Sequence, residues 1–221
     1  MKKASFHRLD RATWPRSEHF DYYVTTIKSR CDITVHLDVS RLLPVLRARR
    51  IRRYPALLHI ASRAVNRVRE CRMGFDADGA PGYWDFVHPS YTIFHTDDKT
   101  FSDIWSEYDE AFPVFYASVI EDMERYRDIR GVCTKAGRPP NACHLSLLPW
   151  LRFTGLARVQ AAHPPFLSPL ITFGRQFRQG EKLLLPLAVS VHHAAADGYH
   201  ISRLVNVMQA QANTVEDWAR L

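Results

Sequence analysis

The spacing of apolar residues changes along the chain, and each change marks an element. Over Cys31–Val39, Ile33, Val35, Leu37 and Val39 alternate with Asp32, Thr34, His36 and Asp38, which predicts a strand with one buried face. Ser40 stands where it would cap a helix begun by Leu42, Leu43, Val45 and Leu46. Arg47-Ala48-Arg49-Arg50-Ile51-Arg52-Arg53 reads as the basic end of that helix, with cations against the negative pole of its dipole. Pro55 opens a second helix, in which Leu57, Leu58, Ile60, Ala61, Ala64, Val65 and Val68 fall at helical spacing. Asp76-Ala77-Asp78-Gly79 predicts the turn of a hairpin, and Tyr83–Val87 and Tyr91–His95 read as strands. The stretch from Ser102 to about Arg127 reads as helical, with Pro113 as a kink or break.

The second half is richer in strands, expected at His144–Leu148, Leu151–Thr154, Leu170–Phe173 and Leu183–His192. The last is apolar nearly throughout, the mark of a central strand covered on much of both faces. After Gly198, the positions of Ile201, Leu204, Val205 and Met208 predict a closing helix. Strands and helices mix without a strict βαβ rhythm, and no internal repeat or low-complexity linker divides them. The expected fold is one α/β domain over residues 1–221, with a mixed β-sheet and helices packed on a sheet face.

Composition removes several classes. The chain has 221 residues, 46% hydrophobic and 24% charged, which excludes a disordered, collagen-like or coiled-coil protein. Its formal net charge is +7, and among its 30 cations only Lys2, Lys3, Lys28, Lys99, Lys135 and Lys182 are lysine. Guanidinium groups grip planar oxyanions bidentately, so this balance suits an anionic partner without choosing between nucleic acid, lipid and a phosphorylated cofactor. The one dense basic run, Arg47–Arg53, lacks interleaved aromatics, zinc spacing or a helix-turn-helix signature and reads as a solvated helix face. The apolar run Leu183–Val189, broken by Pro186, is far short of the ~20 residues of a membrane helix. The basic start, Met1 to Arg8, has no apolar segment behind it, so no secretion signal is expected. Cys31, Cys71, Cys133 and Cys143 form no CxxC pair and are expected as free thiols. The expectation is a cytoplasmic protein with neither a nucleic-acid nor a membrane partner.

One segment carries candidate chemistry: His192-His193-Ala194-Ala195-Ala196-Asp197-Gly198-Tyr199-His200, between the buried strand and the closing helix. Side chains alternate along a strand, so His192 and His193 point to opposite faces; one can pack while the other faces a cleft. An imidazole titrates near pH 6.5 and suits general-base work at neutral pH. Asp197 is placed to hold an arginine or a backbone amide and so fix the loop. Divergent strand histidines and the lack of HExxH or Cys-His spacing argue against zinc, and no metal is expected.

The string His192-His193-Ala194-x-x-Asp197-Gly198 resembles the signature of the type A chloramphenicol acetyltransferases, whose core is shared by the wider His-His-x-x-x-Asp-Gly acyltransferases. The resemblance extends along essentially the whole chain. Trp14-Pro15-Arg16-Ser17-Glu18-His19-Phe20 is similar to a W-x-R-x-E-H-F motif, with Tyr23 following. Tyr54-Pro55, Tyr91-Thr92-Ile93-Phe94-His95, Thr100-Phe101-Ser102, Ser146-Leu147-Leu148-Pro149-Trp150 with Phe153, and Leu183-Leu184-Leu185-Pro186-Leu187 match further motifs at the family's spacing. The resemblance implies an α/β two-layer sandwich, a homotrimer with sites between subunits in which His193 of one chain faces Ser146 and Tyr23 of its neighbour, acetyl-CoA as co-substrate, and chloramphenicol inactivated by acetylation of its 3-hydroxyl. It implies roles residue by residue: His193 as general base, Ser146 as the hydroxyl that stabilises the oxyanion, and Arg16 with Asp197 as a structural ion pair beneath the histidine. Tyr23, Tyr22, Phe101 and Thr172 fall at acceptor or transition-state positions, and Tyr54 and Arg175 where the family contacts coenzyme A.

The chain departs from the pattern after Phe153, in Thr154-Gly155-Leu156-Ala157-Arg158-Val159-Gln160. Arg158 stands where an aliphatic residue of the acceptor pocket is usual; a buried guanidinium without a partner is costly, so it must turn outward, pair with an acid or meet a different acceptor. Tyr22 replaces a common Phe and Ala196 a common Cys. Two alternatives therefore stand beside chloramphenicol acetylation: transfer to another hydroxyl acceptor, and a ligand-binding homologue without catalysis. A condensation domain shares the histidine motif but is about twice this length.

Overall fold

The computed structural model of the protein describes residues 2–158 and 165–221. Its elements run β1 (Phe6–Arg8), α1 (Ser17–Asp21), β2 (Arg30–Asp38), α2 (Leu42–Ala48), α3 (Arg53–Arg67), β3 (Met73–Phe75), β4 (Pro81–Trp84), β5 (His88–Phe94) and β6 (Phe101–Trp105). They continue with α4 (Phe112–Arg125), β7 (Ala142–Leu147), β8 (Leu170–Phe173), β9 (Phe177–Gln179), β10 (Lys182–His192), α5 (Gly198–Asn213) and α6 (Val215–Trp218). Among the described residues, β1, β4 and β3 form a small antiparallel sheet, and seven strands form the main sheet in the order β2-β10-β8-β7-β5-β6, with β9 paired to β10.

The main sheet is mixed, as the irregular alternation of strands and helices predicts: β7 runs parallel to β5 and to β8, and β10 is antiparallel to β2 and β8. Registered neighbours share a face. Val35, Leu187 and Phe173 stand in one row, and Ile33, Val189, Ile171 and Leu145 in another. These rows and helices α3 and α5 close the core, α3 against β5 and β7 and α5 against β2. The opposite face is polar. It carries Thr34, Ala188, Thr172 and Ser146 in one row and Ser90 beside His144 in the next.

Several sequence expectations need correction. The stretch Ser102–Arg127 is not one helix: Phe101–Trp105 is strand β6, and the helix begins at Phe112. Ser102 and Ile104 are buried while Asp103 is half-buried on the other face, a period of two that the mixed polarity of the segment conceals. Pro113 sits in the first turn of α4, where its missing N–H costs no hydrogen bond, so it neither kinks nor breaks the helix. Leu151–Thr154 forms no strand; it is an extended loop whose Leu151 carbonyl accepts from the Arg175 N–H. Phe153 of this loop lies against Gly174, where a Cβ would come within 2.9 Å of the ring, so the close approach requires glycine. Strand β4 stops at Trp84, short of the expected Val87. Ser40 does not cap α2: its hydroxyl accepts from the Leu183 N–H and ties the start of β10 to the β2 edge. The basic run is split between the end of α2 and the start of α3, with Arg50 in the left-handed region at φ 57° between them. Cys71 and Cys143 are buried, Cys31 is half-buried and Cys133 exposed, all four as free thiols. No helix among the described residues is long and apolar enough to cross a membrane.

Candidate active site

Strand β10 delivers the histidine pair. His192 ends the strand, 5% exposed, and its carbonyl accepts from the N–H groups of Ala195 and Ala196 in the tight turn that follows. Burial, with Arg30 and His193 adding to it, pushes the His192 imidazole down to about 4, so this ring is neutral and structural at neutral pH. The next residue is held differently. The His193 N–H donates to the Ser29 carbonyl at 3.0 Å, and its ring lies flat on Tyr23, with centroids 3.9 Å apart and planes within 9°. Its Nδ1 is buried and has no hydrogen-bond partner among the described residues. Tyr23 comes from a π-helical turn, Tyr22–Thr26, that continues α1; such local widenings recur at functional sites. Tyr22 meets Tyr23 edge to face at 5.2 Å and is 48% exposed.

Arg16 and Asp197 lie beneath this pair. One guanidinium nitrogen donates to Asp197 Oδ2 at 2.5 Å, and the other to the His193 carbonyl at 3.3 Å. Asp197 caps α5, accepting from the Tyr199 N–H at 3.0 Å, and its Oδ1 lies 2.8 Å from His200 Nδ1. Partial burial would raise the Asp197 carboxyl; Arg16 and His200 outweigh it and hold the group at about 2. One guanidinium thus links the backbone of His193 to the first turn of α5 over 181 residues of sequence.

The other predicted residues lie on the polar face of the sheet. Ser146 of β7 and Thr172 of β8 are registered neighbours that point the same way. A cavity of about 400 Å³ opens over this face, lined by Ser146, Phe101, Arg158, Asp103, Phe94 and Trp150 among others. The Arg158 guanidinium donates to Thr172 Oγ1 at 2.8 Å. Arg158 turns neither outward nor to an acid; it stays half-buried in the cavity wall. Val159 and Gln160, the rest of the divergent segment, lie outside the described residues.

Tyr54, at the start of α3, faces an adjoining groove of about 280 Å³ that also holds Arg52 and Arg127 and shares Thr92, Phe94, Leu147 and Trp150 with the first cavity. Its hydroxyl is buried beside Thr92 without a well-directed hydrogen bond, and burial raises the phenol well above its usual range. Arg52 and Arg127 both pair with Glu124, which lines this groove as well. Arg175 is exposed just beyond β8 and does not line that groove.

The structure therefore makes two clusters within one chain, and Tyr23 falls in that of His193, not opposite it beside Ser146 as expected. His193, Tyr23, Tyr22, Arg16 and Asp197 form the first; Ser146, Thr172, Phe101 and Arg158 form the second. Ser146 registers with Thr172, and Thr172 with Ala188, five residues before His193 on the same chain. At about 3.3 Å per residue along a strand and about 4.8 Å between strands, His193 and Ser146 are separated by about 16 Å along the sheet and about 10 Å across it. A serine and a histidine side chain cannot bridge that gap within one chain.

Sequence reasoning missed an ionic network in the cavity wall. Asp103 accepts from Ser90 Oγ and from Arg138, each at 2.8 Å, and lies 3.8 Å from His144 Nδ1. Burial lowers the His144 imidazole. Reading back two residues from Ser146 would have put His144 on the same face; Asp103 was hidden in a stretch read as helix. Arg30 was also missed: it donates to the Ser190 hydroxyl at 2.8 Å, the Ser190 carbonyl at 2.9 Å and the Phe166 carbonyl at 3.1 Å, bracing the end of β10. Among the described residues no group of three or more His, Cys, Asp or Glu converges to hold a metal ion.

Residues 4–209 match the family model described as chloramphenicol acetyltransferase. A chloramphenicol acetyltransferase of Clostridium perfringens is 40% identical over 213 residues, 96% of this chain and 97% of its own. One from Bacillus pumilus is 33% identical, covering 96% of each chain. A solved structure of a chloramphenicol acetyltransferase superposes with a TM-score of 0.82 at 20% identity, over 93% of this chain and 99% of that one. A dihydrolipoamide acetyltransferase from Azotobacter vinelandii shares the fold at TM-score 0.65 and 13% identity, over 87% of this chain and 84% of its own.

Proposed function

The chain belongs to the chloramphenicol acetyltransferase family, and from that premise we propose that residues 1–221 form one acetyltransferase domain that inactivates chloramphenicol by moving an acetyl group from acetyl-CoA to its 3-hydroxyl. The observation that carries the reading is the held geometry of His193, stacked on Tyr23 and tied through its own carbonyl to Arg16.

Bound acetyl-CoA supplies an activated acetyl thioester. His193 removes the proton from the acceptor hydroxyl as that oxygen attacks the carbonyl. With Nδ1 buried, Nε2 is the atom available for this step. The Ser146 hydroxyl donates to the negative charge that develops on the carbonyl oxygen. The proton held by His193 then goes to the departing thiolate. Ser146 lacks the G-x-S-x-G setting of a nucleophile, so transfer is direct within a ternary complex and no acyl-enzyme forms. Thr172, Phe101, Tyr22, Tyr23 and Arg158 surround the acceptor, and Tyr54 and Arg175 hold coenzyme A.

Because one chain keeps His193 and Ser146 far apart, the working site pairs His193 of one subunit with Ser146 of its neighbour in a homotrimer. The open polar face of the sheet and the exposed rings of Phe101 and Trp150 support this assembly. The enzyme acts in the cytoplasm. CoA release with chloramphenicol and with other hydroxyl compounds tests the activity. Co-refolding inactive His193→Ala and Ser146→Ala chains tests the assembly: mixed trimers regain activity if the site is shared, and stay inactive if each chain holds its own.

A further inference from the structure

The cavity beside Ser146 contains one positive charge, Arg158, that no carboxylate among the described residues pairs with. Arg158 uses one N–H on Thr172 Oγ1 and makes no ion pair among the described residues. Residues 159–164 bring no carboxylate to it, since none of them is Asp or Glu. Asp103, the acid lining the same cavity, is already engaged by Arg138 and Ser90. Arg158 lines this cavity together with Phe94, Phe101 and Trp150.

A half-buried cation without a counter-ion is a standing cost, relieved by a ligand that brings the opposite charge. A guanidinium offers parallel N–H groups that match the two oxygens of a carboxylate, and the aromatic wall suits a ring or chain attached to it. We propose that Arg158 lets this cavity take, beside the neutral chloramphenicol, acceptors that carry a carboxylate on an aromatic or apolar body, and that it binds such an acid more tightly than the neutral amide of the same shape. The assignment of the cavity to the acceptor rests on the transferase reading above; the charge selectivity rests on Arg158 itself.

The test is calorimetric binding of 3-phenylpropionate and its neutral amide, 3-phenylpropanamide, to the intact protein and to Arg158→Leu and Arg158→Gln. The wild type binds the acid at least tenfold tighter than the amide, and both variants bind the two equally while keeping the wild-type melting temperature within a few degrees. Equal binding of acid and amide by the wild type overturns the proposal, as does an acid preference that survives in a folded variant. CoA release with chloramphenicol, measured on the same preparation, separates the two ideas: its absence sinks the transferase reading while the acid preference still stands or falls on the binding data.

Discussion

The imidazole of His193 lies parallel to the phenol ring of Tyr23 at 3.9 Å, a stack that fixes the plane of the ring without a hydrogen bond to Nδ1. Aromatic pairs of this kind contribute about 1 kcal/mol beyond burial. Tyr23→Ala is therefore expected to lower kcat about five- to tenfold, whereas Tyr23→Phe, which keeps the stack, stays near wild type. Steady-state rates of the two variants check this; equal losses would place the effect in the hydroxyl instead.

Arg16 joins Asp197 to the carbonyl of His193, so breaking the pair moves the histidine as well as weakening α5. Asp197 has a folded-state value of about 2, below its ordinary 3.8, so its contribution is full above pH 4 and is lost as pH falls toward 2. After screening, that contribution is about 1–2 kcal/mol. Asp197→Asn at pH 7 is expected to melt about 2–8 °C lower and to lose about ten- to a hundredfold in kcat through misplacement. Calorimetry and kinetics on one preparation measure both, and a variant unchanged in both would show that the pair does not hold the loop.

Acid sensitivity has a different source. His59 is fully buried among Phe112, Phe115 and Trp218, with neither ring nitrogen hydrogen-bonded. Burial, then Arg63, pushes it down to about 4. A histidine with a folded value below its unfolded 6.5 binds fewer protons in the native state, so stability is full above about pH 6.5 and declines toward pH 4. His59 alone accounts for about 3 kcal/mol of that decline, and His192 adds to it. Melting temperatures from pH 8 to 4.5 should fall, and His59→Leu should flatten the slope; an unchanged slope would exclude His59 as its cause.

The thiols should divide by burial. Burial raises Cys143 to about 12 and Cys71 further, so neither forms thiolate in the native state. Cys133 is exposed, and Cys31 is half-buried and raised by burial. A thiol reagent at pH 8 should label Cys133 rapidly, Cys31 slowly, and Cys71 and Cys143 only after denaturation. Rapid labelling of Cys143 would contradict its packing in β7.

Where one periodicity dominated, the sequence was legible. The alternation of β2, the apolar run of β10 and the helical spacing of α3 and α5 each match an observed element. Legibility failed at β6, where Ser102, buried against His95 and the Ile129 carbonyl, is a polar residue on the core face and breaks the pattern. It failed at Ser40, where a long-range bond to Leu183 replaced the local cap. In the site, the motifs grouped Arg16 and Asp197 beneath His193, and the structure brings these three together although they span most of the chain; Tyr23, expected opposite His193 on the neighbouring subunit, stacks on the histidine of its own chain instead. The Asp103–His144–Arg138 network depends on pairing across strands, which spacing along one strand does not reveal.

The most direct test of the central claim is the rate of CoA release from acetyl-CoA and chloramphenicol by wild-type protein and by His193→Ala, with Ser146→Ala in parallel. The account predicts acetylation by the wild type, a loss of about 10²–10⁴ in kcat without His193, and a loss of about 10²–10³ without Ser146. A folded His193→Ala protein that acetylates chloramphenicol at the wild-type rate would contradict it.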